Sequence, residues 1–178
     1  MCIRDSGKTV GIVGMGRIGQ AIAHRCHYGF GMDVVFYNRS HKETAFAARQ
    51  LPKLADVMAA ADIVVVAVPG GAETARMMNA DCFAAMQPHA VFVNIARGDV
   101  VDEPALIAAL QAGQIAGAGL DVYAGEPVVP EALIAMENVV LLPHLGTNTL
   151  EVRAAMGAMA VENLIAWDEG RDLPQRVV

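Results

Sequence analysis

The chain is poor in aromatic residues, in cysteine and in positive charge, and each shortage narrows what it can be. Aromatic side chains make up 5% of its 178 residues, although 54% are hydrophobic. Its apolar content is therefore Ala, Val, Ile, Leu and Met, which suit close packing of helices on a sheet. The three cysteines, Cys2, Cys26 and Cys82, are odd in number and widely spaced, and none forms a Cys-x-x-Cys pair. They read as reduced structural residues, and no metal site is expected. Thirteen basic against nineteen acidic side chains leave a net charge of -6, which argues against a broad footprint on nucleic acid or an anionic membrane. No apolar run approaches the roughly 18 to 20 residues of a membrane-spanning helix, and the N-terminus lacks the apolar stretch of a secretory signal. The expectation is a cytoplasmic protein that binds neither nucleic acid nor membrane.

What is present is a regular alternation. Short runs rich in Val and Ile at Thr9 to Val13, Asp33 to Tyr37, Ile63 to Val68, Val91 to Ile95, Ala116 to Leu120 and Val139 to Leu142 are bounded by turn residues and predict buried strands. Helical spacing separates them at Ile18 to Cys26, Leu54 to Ala61, Ala80 to Met86 and Pro104 to Ala112, the last with Gly113 just past its end. Asp99, Asp102 and Glu103 precede that helix as helix-start acids. A final long helix is expected from near Asn148, with Asn148 and Glu151 as a capping-box-like pair and an apolar face of Val152, Ala155, Met156, Met159, Ala160, Leu164 and Trp167. Strand and helix alternate throughout, so the fold class is α/β with a parallel sheet covered on both faces, of the size of one domain. Residues 7–169 are read as that domain. Residues 1–6 are expected to be a non-native start, and 170–178 a truncated tail whose docking partner is missing.

Gly14-Met15-Gly16-Arg17-Ile18-Gly19 follows the first strand directly and opens the first helix. In that frame Gly14 permits a tight turn, Gly16 admits a pyrophosphate close to the backbone, and Gly19 lets helix and strand pack, while the helix N-terminus offers amide donors. The doubly wound sheet is thus of the Rossmann dinucleotide-binding type. The plainer alternative is a tight turn without a ligand. Where such sites usually carry an acidic residue for the adenosine ribose, this chain has Asn38-Arg39-Ser40. A guanidinium can grip a 2′-phosphate and neutral side chains can add donors, so NADP(H) is expected over NAD(H). The alternative is an exposed turn with a solvated Arg39.

Arg97, Glu126 and His144 each fall just beyond the end of a predicted parallel strand, the edge at which ligands bind in open α/β sheets. Singly, each has a dull explanation: a surface charge, a turn acid before Pro127, a satisfied loop histidine. Jointly they suit reduction of a 2-oxo acid. A cation can hold the substrate carboxylate, and an imidazole beside a carboxylate can give a proton to the ketone oxygen.

The runs Asn94-Ile95-Ala96-Arg97-Gly98, Gly119 to Tyr123 continuing to Gly125-Glu126-Pro127, and Pro143-His144-Leu145-Gly146 resemble the signature blocks of the D-isomer-specific 2-hydroxyacid dehydrogenases, in that family's order and spacing. The resemblance runs from Gly7 to about Trp167. It implies that Arg97 holds the substrate carboxylate and that His144, paired with Glu126, is the general acid/base. It also implies that Asp121, Gly146 and Thr147 lie near the nicotinamide, Val68 and Pro69 near the adenosine, and Ala96 along the coenzyme. Asn-Arg-Ser and the Pro69-Gly70-Gly71 segment look most like glyoxylate/hydroxypyruvate reductases. Formate dehydrogenases of the same superfamily carry Gln where Glu126 stands, and phosphoglycerate dehydrogenases usually keep the acidic ribose ligand. Family members begin with a long stretch that forms most of a second domain, with the active site between the two. The expectations are a homodimeric full-length protein acting on a small 2-oxo acid, and a fragment that is inactive alone. A dinucleotide-sensing binding protein of the same fold is the rival reading, against which the catalytic trio speaks.

Overall fold

The computed structural model describes residues 5–176 of the chain. Most of the segment read as a non-native start, and the last two residues of the tail, lie outside the described residues. The chain divides into two compact units, Met1–Pro143 and His144–Val178.

The first unit is a seven-stranded sheet, every strand parallel to its neighbours, in the order β3-β2-β1-β4-β5-β6-β7. The strands are β1 (Thr9–Val13), β2 (Asp33–Tyr37), β3 (Arg49–Gln50), β4 (Ile63–Val66), β5 (Val91–Asn94), β6 (Gly117–Leu120) and β7 (Val139–Leu141). The helices are α1 (Arg17–Phe30), α2 (Leu54–Ala60), α3 (Ala80–Ala85), α4 (Glu103–Gln111) and the short α5 (Glu131–Ile134). Successive strand residues point to opposite faces, and the two faces feed two cores. Ile12, Val34, Phe36 and Val65 pack with Ala23 of α1. Val13, Val64, Val66 and Phe92 pack with Met58, Phe83 and Leu106 of α2, α3 and α4. Burial on both faces explains why the strands read as unbroken apolar runs.

The predicted strands all form, most of them one or two residues shorter. Three short elements escaped the sequence reading: β3, α5 and a 3-10 turn at Gly98–Val100. β3 is two polar residues carrying no hydrophobic period, and α5 is a single turn. Helix α1 runs four residues beyond its predicted end at Cys26. It stops where Gly31 takes a left-handed φ of 65°, the Gly31 amide reaching the His27 carbonyl at 3.0 Å and the Met32 amide the Cys26 carbonyl at 3.1 Å. Helix α4 begins as expected: the Asp102 carboxylate accepts from the Ala105 amide at 3.3 Å and Pro104 lies in the first turn.

The second unit contains α6 (Leu150–Asp168). Its cap is Thr149, whose hydroxyl accepts from the Val152 amide at 3.3 Å. The expected Asn148–Glu151 box does not form, because the helix starts one residue later and the Asn148 side-chain oxygen instead accepts from the Arg153 guanidinium at 2.9 Å. The expected apolar face is largely exposed, with Met156 at 53% and Trp167 at 73%, while Ala166 is buried. Arg171 returns its amide to the Ala166 carbonyl at 2.8 Å, and Asn163 and Gln175 bond to each other. No helix among the described residues is long and apolar enough to cross a membrane.

At the amino edge of the sheet Asp62 ties three segments together. One carboxylate oxygen accepts from the Thr9 amide at 2.8 Å; the other meets Lys8 at 3.3 Å and His89 at 2.6 Å. Burial alone would push this carboxyl up, but the Thr9 amide and the His89 and Lys8 side chains outweigh it and hold it below its ordinary value. A depressed carboxyl adds stability above its unfolded value of about 4 and loses it as pH falls through the lower folded value. Asp62→Asn is therefore expected to cost about 1–2 kcal/mol at pH 7. In urea unfolding, its deficit relative to the parent chain narrows below about pH 4.

Candidate functional site

The order of strands reverses at β1, whose neighbours β2 and β4 lead their chains to opposite sides, and a crevice opens there at the carboxyl ends. The glycine loop lies in it. Gly14 has φ +98°, and a β-carbon there would sit 2.9 Å from the Ala67 carbonyl oxygen. A β-carbon on Gly19 would come within 2.0 Å of the Gly14 carbonyl oxygen, so α1 can lie on β1 only if that residue is glycine. Gly16 differs, since a β-carbon there meets nothing within 4 Å. The fold makes no demand for glycine at that position, whereas a pyrophosphate lying on the backbone does. Gly16 caps α1 with no side-chain bond to the helix amides, and the first turn carries no acid. The opening turn of α1 therefore suits an anion. Arg17 and Ile18 start the helix and are exposed.

Beside this loop is a cleft of about 520 Å³ lined by Asn38, Arg39, Ser40, Val68, Pro69 and Glu73 together with Gly14 and Gly16. The Asn38 side chain accepts from the Met15 amide at 3.1 Å and donates to the Ser40 carbonyl at 2.9 Å and hydroxyl at 3.2 Å. Expected as a donor to a ligand, it is a brace joining the β2 turn to the glycine loop. Arg39 points its guanidinium to the carboxylate of Glu73, both side chains more than 80% exposed.

A second cleft, of about 790 Å³, shares Val68 and Pro69 with the first and continues past Ile18 and Ala96 to Arg97, Tyr123 and Glu126. Arg97 and Glu126 are thus brought to one cleft, next to the glycine loop. Three glycine and amide contacts shape it. A β-carbon on Gly98 would fall 1.9 Å from the Tyr123 carbonyl, so the Arg97 turn and the loop after β6 lie backbone on backbone. Gly70 packs on the stem of Arg97, where a β-carbon would be 2.8 Å from Cγ. Buried Asn94 holds the turn from within, donating to the Arg97 carbonyl and accepting from the Ala96 amide, both at 3.0 Å. The Arg97 guanidinium donates to the Ala96 carbonyl at 2.6 Å. The Glu126 carboxylate accepts from the Tyr123 amide at 3.0 Å, and Glu103 accepts from the Ala124 amide at 3.2 Å. The Tyr123 hydroxyl donates to the carbonyls of Leu120 and Leu142, at 3.1 and 2.9 Å, joining the ends of β6 and β7. Burial pushes that phenol up from its ordinary value. Asp121 is buried at the end of β6.

His144 opens the second unit, three residues past the end of β7. It is exposed and takes a positive φ of 54°. A non-glycine residue in that region is uncommon and clusters at functional sites. Gly146 and Thr147 follow it in a turn closed by the Asn148 amide on the Leu145 carbonyl at 2.9 Å. Among the described residues no group of three or more His, Cys, Asp and Glu is placed to hold a metal ion. Sequence reading missed Glu73, Tyr123 and the tight contacts of Gly70 and Gly98. Gly98, Tyr123 and the Gly70-Gly71 pair lie within the runs of family resemblance but were given no such role there, and Glu73 left no local signal.

A parallel sheet in this order, with a glycine loop at its switch point and a cleft running along both sides, defines a dinucleotide-binding domain. The family model for the D-isomer specific 2-hydroxyacid dehydrogenase NAD binding domain matches residues 2–146. A glyoxylate reductase of Pyrococcus furiosus is 49% identical over 175 residues, covering 97% of this chain and 51% of that protein. A glyoxylate/hydroxypyruvate reductase B of Shigella boydii is 48% identical over 168 residues, covering 92% and 52%. The crystal structure of an NADPH-dependent glyoxylate/hydroxypyruvate reductase from Sinorhizobium meliloti, in complex with NADP and malonate, superposes with a TM-score of 0.87 at 46% identity, covering 90% of this chain and 50% of that one. The chain belongs to the D-isomer specific 2-hydroxyacid dehydrogenase family, and it spans about half the length of the curated relatives it matches.

The glycines separate fold from function. Gly98→Ala forces backbone apart and is expected to destabilise the chain by about 3 kcal/mol or more. Gly16→Ala should lower the thermal midpoint only slightly, as a glycine N-cap is lost, but weaken dinucleotide binding by roughly ten-fold, the loss of about one charge-assisted contact. Calorimetric unfolding and coenzyme fluorescence titration of the two variants check both.

Proposed function

We propose that the chain is the coenzyme-binding part of an oxidoreductase that interconverts small 2-oxo and 2-hydroxy acids, glyoxylate or hydroxypyruvate among them, with NADP(H). The observation that carries this reading is the placement of Arg97 and Glu126 in one cleft continuous with the glycine loop. The residues present fit the coenzyme: an open glycine at the uncapped start of α1, and a guanidinium at the end of β2 where an acid would repel a 2′-phosphate. When bound, the nicotinamide supplies or takes up hydride at C4.

The protein's part is to hold the substrate and move a proton. Arg97 pairs with the substrate carboxylate, where a planar fork fixes the acid in orientation. The ketone oxygen becomes an alkoxide as its carbon gains hydride, so an acid must be at hand. His144 takes that role because imidazole exchanges protons near neutral pH. Glu126 is the carboxylate assigned to orient that ring in the complete protein. In the reverse direction the neutral imidazole takes the hydroxyl proton. Preference for NADP(H) follows from Arg39 in the place of the usual ribose acid. The names of the related reductases support the substrate class.

In the complete protein His144→Gln is expected to lower kcat for glyoxylate reduction by about 100-fold or more with coenzyme affinity little changed, the size of a lost general acid. Unchanged kcat in stopped-flow turnover would remove the assignment. The ratio of kcat/KM for NADPH to that for NADH should exceed about ten, one well-made charge contact. A clear preference for NADH in the same assay overturns the coenzyme reading.

A further inference from the structure

We infer that Glu73 is a specificity-determining residue of the coenzyme cleft. Its carboxylate occupies the Arg39 guanidinium and competes for it with a 2′-phosphate, so that coenzymes bearing that phosphate are held less tightly than Arg39 alone would hold them. The inference rests on the proposed role of Arg39, and goes beyond it by naming the group that opposes that role.

Arg39 and Glu73 stand 34 residues apart, on the turns that follow β2 and β4, and both line the adenosine-side cleft. Their ion pair bridges its mouth. Neither turn is slack. On the β2 side Asn38 bonds to Met15 and Ser40, and the Gln50 side chain donates to the carbonyls of Asn38 at 3.2 Å and Ser40 at 3.1 Å. On the β4 side the Thr74 hydroxyl donates to the Pro69 carbonyl at 2.7 Å. The Gly71 amide donates to the Asp99 carboxylate at 3.3 Å, and the Arg76 amide to the Asp99 carbonyl at 2.8 Å. Each charge is therefore carried on a braced turn, and the pairing does not depend on either loop folding over.

A guanidinium has a limited fork of donors, and a carboxylate and a phosphate seek the same ones. A 2′-phosphate, close to doubly charged at neutral pH, reaches Arg39 only by displacing Glu73 or by sharing the guanidinium with it. Either course places two anions side by side. A ribose with a free 2′-hydroxyl meets no such repulsion. Glu73 thus narrows the gap in affinity between the two coenzymes without touching the reacting end of either.

The test is calorimetric titration of the chain with adenosine 2′,5′-bisphosphate and with 5′-AMP, which share the adenosine and differ in the 2′-phosphate. Glu73→Gln keeps the side chain's size at an exposed position and removes only its charge. It is expected to tighten the bisphosphate about five-fold at low salt, the effect of one unit charge a few ångströms away in water. AMP should stay within about two-fold, and the gain for the bisphosphate should fade in about 0.5 M NaCl as the charges are screened. Equal tightening of both ligands, no change, or weaker bisphosphate binding each overturns the inference. Arg39→Gln separates the two levels. If it weakens the bisphosphate while Glu73→Gln does nothing, only the role of Glu73 falls. If Arg39→Gln also leaves the bisphosphate unaffected, the coenzyme reading falls with it.

Discussion

Backbone lying directly on backbone, at two places where the chain has no room for a side chain, sets the geometry of everything near the cleft. At the first, Gly19 of α1 rests on the Gly14 carbonyl, which aims the opening turn of the helix into the crevice beside β1. At the second, Gly98 rests on Tyr123 and Ala124, which brings the turn bearing Arg97 against the loop bearing Glu126. The uncapped start of α1 and the loops bearing Arg97 and Glu126 are thereby placed along one edge by backbone contacts that use neither of those side chains. The Arg97 and Glu126 side chains themselves stay exposed.

Around these contacts, acidic and amide side chains are spent on loop amides. Asn38 holds Met15, Asn94 holds Ala96, Asp99 holds Gly71, Glu103 holds Ala124 and Glu126 holds Tyr123. Each substitutes for a backbone partner that a loop cannot find in a strand. The consequence is electrostatic as well as structural. Although the chain carries net charge of -6, several of the acids near the clefts already accept hydrogen bonds, and the guanidinium groups of Arg39 and Arg97 stand at their two ends. Local placement, not total charge, decides whether an anion is welcome there.

Much of this was legible in the sequence, for identifiable reasons. Buried parallel strands have to be apolar on both faces, so Ile63 to Val66 and Val91 to Asn94 announced themselves as short Val-rich runs. The Gly14-x-Gly16-x-x-Gly19 spacing carries its own geometry. Arg97 and Glu126 could be found because strand ends in an alternating pattern fall on one edge. What stayed hidden depends on pairs distant in the chain. β3 exists only because Arg49 and Gln50 pair with Val35 and Phe36, and no local period marks it. That Asn38 braces the glycine loop was hidden because nothing nearby in sequence showed that the Met15 amide would reach its side-chain oxygen. Glu73 was invisible for the same reason, being 34 residues from the arginine it meets. Thr149 displaced Asn148 as the cap of α6 because both residues can cap and only the phase of the helix decides between them.

The two edges of the sheet divide the work. At the amino edge Asp62 gathers an amide, an ammonium and an imidazole into a cluster that closes on itself. Its groups are consumed by one another, and what they supply is stability. At the carboxyl edge the strand ends at β1 and β4 part company, and amides of α1 and side chains of the diverging turns face a cleft. A parallel sheet makes this asymmetry unavoidable, because every strand delivers its carboxyl end to the same side and the reversal of strand order leaves a gap on that side that no neighbouring turn fills. Binding groups accumulate where the turns are forced apart, and stabilising groups where they can meet.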